Sequence, residues 1–230
     1  MYKHIVRPLL SILSPEAAHK FVLSCLSFVG SVPGGRTAMK FLYSRKSPAL
    51  SREEFGITFK NPIGLAAGMD ANGDMYNNFA ALGFGFVEIG SLTLEPYRGN
   101  PKPRLFRVPQ KKAIVNRIGS ENKGVKYAIN HLRSDIPDVV IAANIEASPK
   151  SKKPVSDYMK SFSLLYDFVD MFTINISNPL AGNTEKMQTL QFMSDVLDPI
   201  LGIRLLYDDY KPILVKISPD MDHDHLAEIL

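Results

Sequence analysis

The stretch "MFTINISNPLAGN" (residues 171–183) carries a mostly apolar run that breaks at a proline. Asn175 and Ser177 lie at the end of the run, and Asn178, Pro179 and Leu180 follow. A short, nearly continuous apolar run is the pattern of a strand buried on both faces of a parallel sheet. Working outward, the pattern recurs in "IGLAAG" (63–68), "FVEIGSL" (86–92), "VVIAANI" (139–145) and "PILVKIS" (212–218). Helical periodicity fills the gaps, at about 75–82, 123–133, 155–167, 188–206 and 222–230. Alternation of strand and helix implies right-handed βαβ units and a parallel sheet. Polar residues gather where the runs end: Asp70, Ser91 with Thr93, Asn144, Asn175 with Ser177, and Lys216.

Two architectures place their sites at strand C-termini. A doubly wound sheet usually shows a Gly-rich phosphate turn after its first strand, and "GLAAGMD" (64–70) is not G-x-G-x-x-G. The pattern therefore predicts an α/β fold of the (β/α)8 TIM-barrel type, whose C-terminal rim holds the site. Only five barrel strands are legible, so the expected barrel is incomplete. A full barrel needs roughly 200 residues or more, and fewer remain after the N-terminal piece. That piece reads as helical. Ser14-Pro15-Glu16 is a strong helix start, and Phe21, Val22, Cys25, Leu26 and Val29 form an apolar stripe behind it. "SVPGG" (31–35) stops the helix, a second is expected at 36–44, and "FGITFKN" (55–61) alternates like an exposed strand. The expected division is a helical extension over 1–46 and a partial barrel over 47–230.

Composition is that of a packed globular chain, 45% hydrophobic and 22% charged. Cys25 is the only cysteine, which fits a reducing compartment. No apolar run reaches the ~18–20 residues of a membrane span, and no small-residue cleavage site marks a signal peptide. Charge is uneven: residues 1–46 carry a net +6 and the other 184 carry −2, for +4 overall. A basic, apolar N-terminal segment can lie on an anionic membrane surface, although a solvated helical face is the commoner use of such a charge pattern. The Asp220, Asp222, His223, Asp224 and His225 cluster reads as a solvated helix start rather than a metal site. Basic residues at 102–104 and 150–153 lack interleaved aromatics, so no nucleic-acid surface is expected.

Ordered segments along the chain resemble the dihydroorotate dehydrogenase family. They are "AHKF" (18–21), "GITFKNP" (56–62), "GLAAGMD" (64–70), "EIGSLT" (88–93), "GNPKPRLFR" (99–107), "NRIG" (116–119), "INIS" (174–177), "TLQ" (189–191) and "VKISPD" (215–220). The helical extension points to the membrane-associated, quinone-reducing class. The resemblance implies FMN at the barrel rim, oxidation of dihydroorotate to orotate for pyrimidine biosynthesis, and a quinone acceptor reached through the N-terminal helices. It also implies a peripheral position on the cytoplasmic side of the inner membrane. By the same resemblance Ala67, Gly68, Ser91, Asn144, Asn175 and Lys216 hold the flavin. Asn116, Arg117, Ile118 and Gly119 cover the substrate, and His19 stands near the quinone entry. Read from the residues alone, Ala67 and Gly68 suit tight packing as well. Asn144 and Asn175 suit satisfied strand ends, and His19 suits a structural histidine. Lys216 at a buried strand end resists a structural reading, because an unpaired buried ammonium is costly.

Other positions depart from the family pattern. Ala71 stands in place of a lysine, Ser120 of an aromatic residue and Glu121 of an asparagine; if Glu121 faces the site, its carboxylate is expected to repel an anionic substrate. Glu146 stands in place of a glycine beside the flavin. Asn178 replaces the catalytic serine and Leu180 a substrate-binding asparagine. An amide neither accepts nor relays a proton at neutral pH, and loss of a general base costs roughly 10²–10⁴ in rate. The substitutions and the missing strands, with the phosphate loops such barrels carry after strands seven and eight, lead to the expectation of weak or absent FMN binding and little or no turnover. The competing expectation is a non-catalytic homologue that acts as a binding or membrane-surface module.

Overall fold

The computed structural model describes residues 2–45, 47–177, 189–219, 221 and 223–229. A turn of π-helix (Tyr2–Val6) leads into α1 (Arg7–Ile12), α2 (Pro15–Ser31) and α3 (Gly35–Tyr43). Helix α2 starts where the sequence places it: the Ser14 hydroxyl accepts from the Ala17 amide at 3.3 Å, and proline fills the first turn. Its stripe faces outward, however. Phe21, Val22, Cys25 and Val29 are exposed, while Leu23 and Leu26 pack onto the core. Gly30 permits this docking, since a Cβ there would stand 2.1 Å from the Asn78 amide oxygen. Among the described residues no single helix is long and apolar enough to cross a membrane.

Two short strands, β1 (Arg52–Glu54) and β2 (Ile57–Phe59), pair antiparallel. The expected exposed strand is thus one arm of a hairpin. The main sheet follows: β3 (Gly64–Asp70), α4 (Tyr76–Ala81) and β4 (Phe86–Leu92). A second hairpin interrupts, β5 (Leu105–Val108) with β6 (Ala113–Asn116). Then come α5 (Val125–Ser134), β7 (Val140–Ile145), α6 (Pro154–Leu165), β8 (Met171–Asn175), α7 (Leu190–Arg204), β9 (Ile213–Lys216) and α8 (His223–Ile229). The five long-range strands run in sequence order, β3-β4-β7-β8-β9, all parallel. This is the strand order of a (β/α) barrel wall and excludes the switch-point order of a doubly wound sheet.

Burial is graded across the wall. Strands β7 and β8 are buried almost throughout, whereas β3 and β9, the outer strands among the described residues, are half-buried or exposed except at Asp70, the last residue of β3. The expectation of burial on both faces holds for the middle of the sheet only. Helices α5, α6 and α7 cover the outer face with Leu132, Phe162, Leu165, Val196 and Ile200, all buried. At about 25 cal/mol per Å² of apolar surface, each such side chain contributes roughly 1.5–3 kcal/mol. The aromatic cluster Phe162, Tyr166, Phe172 and Tyr207 closes one end of this layer.

Candidate functional site

The strand C-termini open into a cavity of about 640 Å³. Its floor is Ala67, Gly68 and the β4 end at Gly90 and Ser91, and its walls are α2 (Glu16, His19, Leu23) and the loop that follows β6. Gly68 has φ +106° and open space around its Cβ position, so a planar group meets only backbone there. Gly90 is obligatory in a stricter sense: a Cβ would lie 2.4 Å from the Asn144 carbonyl oxygen. The structure places Ala67, Gly68, Ser91, Asn116, Ile118, Gly119 and Lys216 around this one cavity. Arg117 is exposed and lies outside it; its amide donates to the Arg104 carbonyl at 2.8 Å. His19 is half-buried in the α2 wall.

Lys216 differs from expectation. It is exposed, because it sits on the outer strand β9, so the cost of burying an ammonium does not apply to it. Ala71 also lines the cavity and offers it neither charge nor donor. Asn178 and Leu180 lie outside the described residues, as do Asp220 and Asp222. Among the described residues no group of histidine, cysteine or acidic side chains could hold a metal ion.

Beneath the floor, six side chains bond to one another. Asn144 Nδ2 donates to Glu88 Oε1 at 2.7 Å, and Glu88 Oε2 accepts from the Ala67 amide at 3.2 Å. Ser91 Oγ donates to Asn144 Oδ1 at 2.5 Å. Asn175 Nδ2 donates to both Ser91 Oγ and Glu146 Oε2, each at 3.0 Å. Asn175 Oδ1 accepts from the Ser177 amide at 3.1 Å and from the Ser177 hydroxyl at 2.9 Å. An amide side chain has two donor hydrogens and two acceptor lone pairs, so Asn175 is saturated from within. Glu146, which the sequence reading sets against the flavin, is 2% exposed and turned toward Asn175. Tyr158, fully buried, donates to the Asn175 carbonyl at 2.7 Å. Burial pushes its phenol above the usual range. A flavin fits the open backbone at Gly68 but not this donor set, whose amides are committed to Glu88, Ser91, Glu146 and Ser177.

The cavity loop is held by residues that sequence reasoning passes over. Arg104, 2% exposed, reaches Glu16 on α2 at 2.9 Å and bonds Glu121 on the loop. It also donates to the carbonyls of Arg98 at 3.1 Å and Asn100 at 3.3 Å. Glu121 therefore faces the cavity as half of an ion pair rather than as a bare carboxylate, which corrects the expected repulsion of an anionic substrate. Arg104, with Lys102 and Lys20, holds the Glu16 carboxyl down to about 2, and the Arg104 hydrogen bond is the chief cause. Asn122 ties the same loop to the end of β4, accepting from the Thr93 amide at 3.2 Å and donating to the Thr93 hydroxyl at 3.0 Å. Asp70, 2% exposed, is pushed up to about 6 by burial, although the Asp74 and Met75 amides bond it at 3.0 Å each. Nothing in composition or periodicity marks Arg104 or Asn122; the one sequence signal is the basic "KPRLFR" segment (102–107).

The family model described as dihydroorotate dehydrogenase matches residues 49–230. The protein named "Dihydroorotate dehydrogenase (quinone)" of Christiangramia forsetii is 39% identical over 233 residues, which cover all of this chain and 68% of the relative. That of Cellvibrio japonicus is 40% identical over 238 residues, covering 67% of the relative. Among solved structures, DHODH from Eimeria tenella in complex with ferulenol matches with a TM-score of 0.81 at 28% identity, over 94% of this chain and 62% of that one. The ligand-free form matches with a TM-score of 0.82 at 27% identity, over 65% of its own chain. The chain thus spans about two thirds of the length of these relatives.

Proposed function

The chain belongs to the dihydroorotate dehydrogenase family, and from that premise we propose that its rim cavity is the dihydroorotate site of a quinone-type enzyme in pyrimidine biosynthesis, with flavin binding and turnover impaired. The observation that carries this reading is the Asn175 amide, which lies beneath the cavity floor and is wholly engaged by Ser91, Glu146 and Ser177. A ligand that needs this amide must first displace the bonds that Ser91, Glu146 and Ser177 make to it. Ala71 supplies no cation in the cavity, and Asn178, in the position of the family's base, is an amide. FMN is the expected cofactor and a quinone the expected electron acceptor. The expected location is peripheral, on the cytoplasmic side of the inner membrane. Support for the membrane part comes from α1–α3, where Ile12, Phe28 and Phe41 are 81%, 70% and 88% exposed beside a basic sequence.

The test is the absorbance of the purified full chain, followed by dihydroorotate-dependent dye reduction with FMN added. The expected result is flavin well below one per chain and little or no dye reduction. A yellow preparation at stoichiometric occupancy with normal turnover would sink the impairment. Absent turnover together with retained liposome association would favour the second reading, a non-catalytic module. The buried Glu146 at the flavin end of the site supports that reading.

A further inference from the structure

A second cavity, of about 1020 Å³, lies at the opposite end of the sheet. Its lining includes Lys60–Asn61, Gly83–Phe84 and Asp138, which immediately precede β3, β4 and β7, so it shares no wall with the rim cavity. The remaining wall is the end of α3 and the segment after it. Three cations line the cavity, Lys40, Arg45 and Lys60, against one carboxylate. Asp138 serves two of them: it is bonded by Lys40, and it lies 3.4 Å from Lys60 Nζ. Arg45 is exposed and forms no ion pair among the described residues. The hydroxyls of Thr37, Ser44 and Ser47 also line the space, without a hydrogen bond to the protein among the described residues. Two positive charges are thus in surplus in a concavity that also offers hydroxyl donors. An anion with several acceptor oxygens fits that donor set, and arginine is the side chain that meets a phosphate through two parallel donors.

The rim of the cavity has a different chemistry. Phe41, which lines it, and its chain neighbours Leu42 and Tyr43, on the last turn of α3, are 88%, 66% and 60% exposed. Apolar side chains left in water next to a cationic concavity match a ligand with an anionic head and an apolar body. We propose that this cavity binds a phosphate group carried on an apolar tail, the headgroup of an anionic phospholipid, with Arg45 and Lys60 taking the phosphate and Phe41 and Leu42 the first part of the tail. The phosphate part stands on this cavity alone, and the tail part rests on the reading that α1–α3 face a membrane. A free phosphate ester shares the headgroup's chemistry.

The test compares flotation of the full chain with phosphatidylcholine vesicles and with the same vesicles containing phosphatidylglycerol. The wild type is set beside Arg45→Ala/Lys60→Ala and beside Lys111→Ala/Lys112→Ala, which removes the same charge from the exposed β5–β6 turn. Circular dichroism establishes that each variant is folded. Thermal unfolding in millimolar inorganic phosphate forms a second arm. The expected result is stronger partition onto the anionic vesicles, weakened about thirty-fold in the cavity variant, the loss that two basic contacts at a lipid surface bring, and less than three-fold in the control. Equal weakening in both variants would overturn the cavity and leave the membrane reading standing. No binding to either vesicle would overturn the membrane reading. In that event phosphate protection of the wild type but not of the cavity variant identifies a soluble phosphate ester as the ligand, and equal protection or none overturns the proposal.

Discussion

Replacement of Glu16 by glutamine tests whether the ion cluster at the cavity wall joins the helical extension to the loop. The Glu16 carboxylate receives Arg104 at 2.9 Å, Lys102 at 3.2 Å and Lys20 at 3.3 Å. A carboxyl held at about 2 instead of 4.5 in the folded chain corresponds to at most about 3.4 kcal/mol. Lys20 and Lys102 are 58% and 60% exposed, so their share is screened, whereas Arg104 is buried at 2%. The expected loss in Glu16→Gln is therefore about 1.5–2 kcal/mol at neutral pH. For a chain of this size that is a fall of about 0.5–0.8 M in the urea midpoint. The pH dependence follows from the depressed folded value. The contribution is complete above 4.5 and disappears as pH falls toward 2, so less than half of the difference between the two proteins remains at pH 3. Urea unfolding at pH 7 and pH 3, in low salt, measures both points. Equal stabilities at pH 7, or a difference as large at pH 3 as at pH 7, would refute the reasoning.

Two further outcomes follow from the buried groups at the rim. In Tyr158→Phe the Asn175 carbonyl loses its 2.7 Å donor in a dry environment, and the expected destabilisation is about 1–3 kcal/mol by urea unfolding; an unchanged midpoint would show that this bond contributes nothing. Asp70 is held up to about 6, so its ionisation opposes folding. Its contribution to stability is fullest below the ordinary carboxylate value and is lost as pH rises through about 6. Carboxyl NMR, assigned with Asp70→Asn, is expected to give a midpoint near 6, and a midpoint below the ordinary aspartate value of 3.8 would mean that the Asp74 and Met75 amides outweigh burial.

The parallel sheet was legible in the sequence because apolar runs of six or seven residues have few other uses, and each of the five became a strand. What the runs do not carry is position within the sheet. "PILVKIS" and "VVIAANI" look alike, yet one is an outer strand with Lys216 in solvent and the other lies at the centre. The β5–β6 hairpin escaped because its arms have four residues each, β6 is exposed throughout, and no alternation survives at that length. The site was legible in part. Strand ends announce Ser91, Asn144 and Asn175, but not that they satisfy one another. That depends on Glu88 and Glu146, which come together across three strands. Arg104 was invisible for the same reason: its partner Glu16 is 88 residues away, and no local pattern encodes a contact of that range.

The β5–β6 hairpin also helps to hold the helical extension. Arg107 donates to the carbonyls of Leu10 at 3.2 Å and Ser11 at 3.3 Å and bonds that of Leu13, while Arg104 takes Glu16. Both arginines belong to one short segment, and both grip helices made roughly ninety residues earlier. These contacts complete a docking that Leu23 and Leu26, packed on the core, and Arg36, bonded to Asn78 and Asp135, also hold. Closing so long a loop costs entropy that all of these contacts together repay. In the finished molecule α1–α3 expose much of their apolar surface, whereas β7 and β8 are buried almost throughout. Local opening is therefore expected to begin in the helical wall of the rim cavity rather than in its floor, with faster amide exchange in α1–α3 than in β7 and β8.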